Sequence, residues 1–223
     1  MTAIPLQREI HYPESDGQPM GETELHREEM TYLIQALQSW YQEAPDVHVG
    51  GNLFLYYVQG DPRGVVSPDV YVTKGIPKGL RRIYKLWEEK KPPSLVIEVT
   101  SDSTRDEDLR KKKGIYERLG VEEYLLFDPL GDYLEPRLQG YRLVSRRYQP
   151  LSLESDGSLT SRTIGLKLLP EGHRLRLIDP ATGEPLLSDQ EVRNRLAEEA
   201  AARRAAEEEI VRLRRELARR GQS

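Results

Sequence analysis

The chain has 223 residues, with 33 lysines and arginines against 37 acidic residues, a formal net charge of −4 with histidine neutral, 37% apolar and 31% charged residues, and no cysteine. Disulfides, thiolate chemistry and sulfur-ligated metal sites are therefore excluded, and the acidic balance gives no global attraction for a polyanion such as DNA. No run approaches the eighteen or so apolar residues that span a bilayer and no basic-then-apolar leader opens the chain, so the sequence predicts a cytoplasmic protein without a membrane partner, long enough for one α/β domain with something left over.

Residues 1–21 are polar and turn-rich, with a turn expected over 12–17. A helix is predicted over residues 22–41, with Met30, Leu33, Leu37 and Trp40 on one stripe. His26 projects onto the same stripe, as does Glu22 if the helix begins early enough. Residues 47–49 and 53–58 read as two strands closing a hairpin around Gly50-Gly51-Asn52. Pro68-Asp69-Val70-Tyr71-Val72 is a further strand, and it carries an acid. After a loop over 75–79, the segment 80–89 offers Tyr84 and Trp87 as a helical face or part of a subunit contact. Lys74, Lys78, Arg81, Arg82, Lys85, Lys90 and Lys91 crowd this region; they are either a basic rim able to hold a phosphate backbone or a solvated loop and helix.

Lys91-Pro92-Pro93 cannot continue a helix and so opens the next strand, Ser94-Leu95-Val96-Ile97-Glu98-Val99-Thr100. A run this apolar is expected to be buried on both faces, and an ionised Glu98 within it must be paired, protonated or bound to a cation. The following helix, 105–119, stops at Gly120. At about 100° per residue, Leu109, Ile115, Tyr116 and Leu119 fall within about 60° of Lys112, which sits at the centre of the inward face. Lys111 and Lys113 point about 100° to either side, toward solvent. Tyr124-Leu125-Leu126-Phe127 is the next buried strand, closed by Asp128-Pro129.

Segments 141–144, 147–151 and 175–178 read as a β appendage. From Ser188 the composition shifts to alanine, glutamate and arginine. Ser188 and Glu191 form a capping box, and Glu199 with Arg203 and Glu208 with Arg212 are spaced for ion pairs. Ala206, Ile210, Leu213 and Leu217 have coiled-coil spacing, weakened by Glu199 and Arg203 at earlier core positions. Two parts follow, 1–187 and a charged helical extension over 188–223.

The order of strand with Asp69, strand with Glu98, helix with inward Lys112 and further strand resembles the core of the PD-(D/E)XK restriction-endonuclease-like superfamily, and more narrowly its Uma-two branch. The matching residues are Pro68-Asp69, Val96-Ile97-Glu98-Val99, Ser103-Thr104, Asp108 with Lys112 and Tyr116, and Gly120-Val121-Glu122-Glu123-Tyr124 leading to Phe127-Asp128-Pro129. The likeness extends through Tyr56-Tyr57, Tyr84-Lys85-Leu86-Trp87-Glu88 and Leu138-Gln139-Gly140-Tyr141.

The resemblance implies an α/β fold with a mixed sheet and a metal-dependent endonuclease hydrolysing phosphodiester bonds in DNA. Asp69, Glu98 and the carbonyl of Val99 would hold Mg²⁺ or Mn²⁺, and Lys112 would orient or help deprotonate the nucleophile. It also implies a homodimer, with most of the contact expected from the globular domain. Superfamily members often bring an extra acid from the first helix; Glu22 would be that ligand and His26 a neighbouring hydrogen-bond donor, or the two form a capped, core-satisfied pair. The superfamily lysine lies two residues after the second acid, where this chain has Thr100, on the same face of the strand as Glu98. Either the site is dead or Lys112 supplies the ammonium from the helix. The competing expectation is an inactive binding or assembly module in which Glu98 and Lys112 are a structural ion pair, and a third is a nuclease acting on a small or RNA substrate.

Overall fold

The structure is a computed structural model that describes residues 10–15, 23–101 and 104–220. Glu22, Ser103 and the end of the expected turn at 12–17 lie outside the described residues. In chain order the elements are α1 (Glu24–Trp40), β1 (Val47–Gly50), β2 (Leu55–Tyr56), β3 (Val65–Val66), β4 (Val70–Lys74), β5 (Tyr84–Lys85), α2 (Leu86–Glu89) and β6 (Leu95–Val99). A π-helical turn (Glu107–Lys112) leads into α3 (Lys113–Leu119), followed by β7 (Glu123–Phe127), β8 (Leu138–Val144), β9 (Arg147–Pro150), β10 (Leu159–Thr160), β11 (Lys167–Glu171), β12 (Arg174–Ile178) and α4 (Asp189–Arg220). By their contacts, residues divide into two units, Met1–Leu186 and Leu187–Ser223.

In the first unit a six-stranded sheet has the order β1-β4-β6-β7-β8-β9, with β6 and β7 parallel and the other neighbours antiparallel. Two three-stranded sheets, β10-β11-β12 and β3-β2-β5, flank it. This is the expected mixed α/β architecture with a C-terminal helix, but of the three segments read as a β appendage only β12 lies in a separate sheet: β8 pairs with β7 and β9 with β8, so both extend the central sheet. Strand alternation divides the core into two. Leu95, Ile97 and Val99 of β6 pack with Leu33 and Leu37 of α1, whereas Val96 packs with Tyr116 of α3 and with Tyr124. Full burial of each such leucine contributes about 1.5–3 kcal/mol before entropic costs. Glu98 therefore faces the α3 side, and Tyr71 of β4 lies on that side too.

Helix α1 begins later than the sequence implies. Thr23 is its N-cap, its hydroxyl accepting from the His26 amide at 3.2 Å. The buried stripe of Met30, Leu33 and Leu37 continues at Tyr41, four residues on, so Trp40 is turned outward and 39% exposed.

The expected hairpin around Gly50-Gly51-Asn52 does not form. β1 pairs with β4, from Val47 opposite Lys74 to Gly50 opposite Tyr71, while β2 joins β3 and β5. The two glycines serve close packing instead. A Cβ on Gly50 would lie 2.7 Å from the Tyr71 hydroxyl, and one on Gly51 would strike the carbonyl oxygen of Asp69. Gly51 thus lets the chain pass directly over an acid of the site.

The basic segment is not a rim of that site. β4 and β6 are antiparallel, so the connection between them leaves the sheet at the end opposite Asp69 and Glu98. Four of its seven basic side chains are also engaged locally. Arg81 pairs with Glu89 at 2.6 Å, Arg82 with Glu14 at 2.7 Å and Lys85 with Glu88 at 2.9 Å, while Lys78 donates to the carbonyls of Tyr41 and Gln42. Tyr84 is not an exposed subunit contact: it is fully buried, its hydroxyl donating to the Lys91 carbonyl. Trp87 is half-buried against Tyr12. Lys113 is drawn back from solvent, its ammonium 3.4 Å from the centre of the Tyr141 ring, whereas Lys111 is exposed and pairs with Glu107.

In the second unit, α4 opens on the expected capping box, with the Ser188 amide and hydroxyl donating to the Glu191 carboxylate at 2.7 and 2.8 Å. Among its described residues Arg195 pairs with Glu199, Arg203 with Glu207 and Arg212 with Glu209, in place of the expected Glu199–Arg203 and Glu208–Arg212 pairs. Ile210, Leu213 and Leu217 are exposed. Among the described residues no helix is long and apolar enough to cross a membrane.

Candidate active site

The register of β4 against β6, with Val70 opposite Ile97, sets Asp69 beside Glu98. The two acids are tied together through the backbone. The Val99 amide donates to Asp69 Oδ2 at 2.8 Å, and the Asp69 amide donates to Glu98 Oε2 at 3.2 Å. From α1, His26 Nε2 lies 3.1 Å from Asp69 Oδ2.

From the opposite side of the sheet, Lys112 Nζ reaches Glu98 Oε2 at 2.9 Å, and the Tyr116 hydroxyl donates to Glu98 Oε1 at 2.8 Å. Lys112 has a second acid within reach, Asp108 Oδ1 at 3.0 Å. Asp108 and Lys112, four residues apart in the π-helical turn, lie on one face of it and are both buried. The Tyr124 hydroxyl donates to the Asp108 carbonyl at 2.9 Å and braces that turn on β7.

Three carboxylates thus face one ammonium. If all are ionised, three negative charges less one positive leave −2 in a place of low exposure. Burial drives the Glu98 carboxyl up, the Lys112 charge opposes this, and Asp69 and Asp108 add to the rise; the net result lies well above the ordinary glutamate value. Burial likewise raises Asp108 against the pull of Lys112. For Asp69 burial also pushes upward, but the His26 hydrogen bond, the Lys112 charge and the Val99 amide together bring it below the ordinary aspartate value. Burial alone would discharge Lys112, yet Glu98, Asp108 and Asp69 together raise it. The surroundings thus favour the charged forms of Lys112 and Asp69 and the neutral forms of Glu98 and Asp108, both fully buried.

The site opens on a cleft of about 490 Å³ whose lining includes His26, Asp69, Thr100 and Lys112. Thr100, in the usual lysine position, shares the cleft with Lys112. Glu98 lies behind this surface. The far wall is the loop after β7, organised by Asp128. Its carboxylate accepts the amides of Leu130, Gly131 and Leu134 at 2.9–3.0 Å, and that of Tyr133 as well. Sequence reasoning gave Asp128 no role, although an aspartate followed by proline and glycine is an Asx-turn signature. It also gave Tyr116 no partner.

The donor chemistry suits a hard divalent cation. Asp69 and Glu98 supply two carboxylates, which is the usual protein share for Mg²⁺, with waters completing the shell. Thr100 Oγ1 is buried beside them and has no hydrogen-bond partner among the described residues. With the three acids ionised, the excess of −2 is also what a dication neutralises. Among the described residues no group of three or more acids and histidines forms a cage by itself.

A mixed sheet bearing paired acids on adjacent strands, met by a lysine from the crossing helix, defines the restriction-endonuclease-like class. The chain belongs to the Uma2 family, described as "Putative restriction endonuclease", whose sequence model matches residues 2–171. Among solved structures it is similar to "a putative nuclease belonging to DUF820" from Anabaena variabilis, at 17% identity and a TM-score of 0.48 over 66% of this chain and 76% of that one. No curated protein matches it.

Proposed function

We propose that the protein is a metal-dependent endonuclease hydrolysing phosphodiester bonds in DNA, with the lysine of its site supplied by Lys112. The observation that carries this reading is that Asp69 and Lys112 line an open cleft and both engage Glu98 just behind it, with Thr100 where the superfamily lysine would stand. Asp69, Glu98 and the Val99 carbonyl would hold Mg²⁺ or Mn²⁺. When bound, such an ion supplies Lewis acidity toward a phosphoryl oxygen and lowers the pKa of a water.

The chain's own residues have separate tasks. His26 and the Val99 amide keep Asp69 ionised and fix its orientation. Tyr116 and the Asp69 amide fix Glu98. Lys112, held charged by its acids, presents a positive charge at the cleft surface where negative charge develops on the phosphate. Glu22 is a further candidate acid on the resemblance alone. A homodimer is proposed as well; with Tyr84 buried, the exposed seam of Ile210, Leu213 and Leu217 becomes its main support.

A second reading has its own observation. Glu98 is fully buried and contacts Lys112 directly, as it would in a structural ion pair within an inactive binding module. Incubating supercoiled plasmid and labelled single-stranded DNA with the protein, with and without Mn²⁺, separates the two. Cleavage that requires Mn²⁺ and disappears in Asp69→Ala is expected. Absence of cleavage from both substrates favours the module.

A further inference from the structure

We propose that the substrate of this site is unpaired DNA, single-stranded or frayed, rather than intact duplex; the proposal rests on the nuclease reading. A duplex carries one negative charge about every 1.7 Å, and proteins that hold it neutralise several phosphates with lysine and arginine. Among the described residues lining the cleft, Lys112 is the one lysine or arginine, and it is already bound to Glu98 and Asp108. The basic segment between β4 and β6 lies at the other end of the sheet, with Arg81, Arg82 and Lys85 in ion pairs.

What the cleft offers suits a splayed nucleotide. One part of its lining is neutral and polar, with Thr23, Asn52, Ser67, Ser101 and Thr104. Such groups meet sugar oxygens and base edges without adding charge. Beside the acids Asp69 and Glu107, the lining also has an apolar wall in Leu25, Val66, Pro129 and Leu130, the last 50% exposed. A base stacked in a helix has no face to give such a wall, whereas an unpaired base has two. The cavity of about 490 Å³ falls within the range of small-ligand pockets, with room for about one or two nucleotides.

The test uses the full chain with Ca²⁺ in place of Mn²⁺, and fluorescence anisotropy of one labelled oligonucleotide as a single strand and as a blunt duplex, across a salt titration. At least tenfold tighter binding of the single strand is expected. Its slope of log affinity against log salt should be no steeper than about −3, the value for roughly four phosphate contacts on a single strand. Leu130→Asp should weaken single-strand binding at least fivefold. Equal or tighter binding of duplex, a steeper slope, or an unchanged Leu130→Asp overturns the proposal. A parallel Mn²⁺ cleavage assay separates the levels. Duplex cut as fast as single strand removes the substrate assignment and leaves the nuclease, whereas no cleavage of either removes both.

Discussion

Replacing Lys112 by methionine is expected to lower stability by about 3–5 kcal/mol and to abolish cleavage, because the change leaves buried acids without their cation. Lys112 is only 9% exposed, and its ammonium lies within 3.0 Å of both Glu98 and Asp108. Methionine fills a similar volume, so the loss reflects charge more than packing. The deficit has a sign in pH. Glu98 and Asp108 both have raised pKa values, and acid conditions protonate them and remove the uncompensated charge. Urea unfolding at pH 5.5 and pH 8 should therefore show the larger deficit at pH 8. A loss below about 1 kcal/mol at both values would mean that Lys112 is a solvated lysine with an accidental contact.

Glu98→Gln should behave in the opposite way, keeping stability while losing activity. The folded-state pKa of Glu98 is raised above its ordinary value of 4.5, so its contribution to stability is fully present below that value and is lost as pH rises through the folded pKa. Glutamine mimics the protonated acid. Its carbonyl can still accept from Lys112 and the Asp69 amide, with the Tyr116 hydroxyl turning to accept from the new amide. Near neutral pH the variant should match or exceed the wild type in thermal unfolding, and its stability should fall less toward alkaline pH. Cleavage should drop at least about 100-fold, since the site has lost one of two carboxylates available to a cation. A variant that unfolds several degrees earlier yet retains cleavage would make Glu98 a structural residue.

The sequence already contained the reason for the site's geometry. Glu98 within an apolar run demanded a partner, and helical spacing pointed Lys112 at it. Asp108 was legible in the same projection: four residues before Lys112, it falls about 40° from it on the inward face, a second acid within the lysine's reach. The basic segment was left open between a rim and a solvated loop: its lysines lie between the two acidic strands in sequence, and only the antiparallel pairing of β4 with β6 shows that they lie at the far end of the sheet. Gly50 and Gly51 looked like turn residues because close approach to Tyr71 and Asp69 selects the same amino acid as a hairpin does. Tyr84 could not be told from a surface aromatic, since its burial depends on the small sheet of β3, β2 and β5. Trp40 was placed one step short of the residue, Tyr41, that continues the buried stripe.

The link between these acids and a cation is measured most directly by titrating Mn²⁺ into the wild type and Asp69→Asn by calorimetry at pH 7, in two buffers of different ionisation enthalpy. Burial raises the Glu98 pKa, so a cation that needs its carboxylate ionised competes with protons for it. The wild type should bind Mn²⁺ at one principal site per chain with net proton release, while Asp69→Asn should lose that site. Binding of equal strength in Asp69→Asn, or no binding by the wild type at millimolar Mn²⁺, would contradict a metal-dependent nuclease built on Asp69, Glu98 and Lys112.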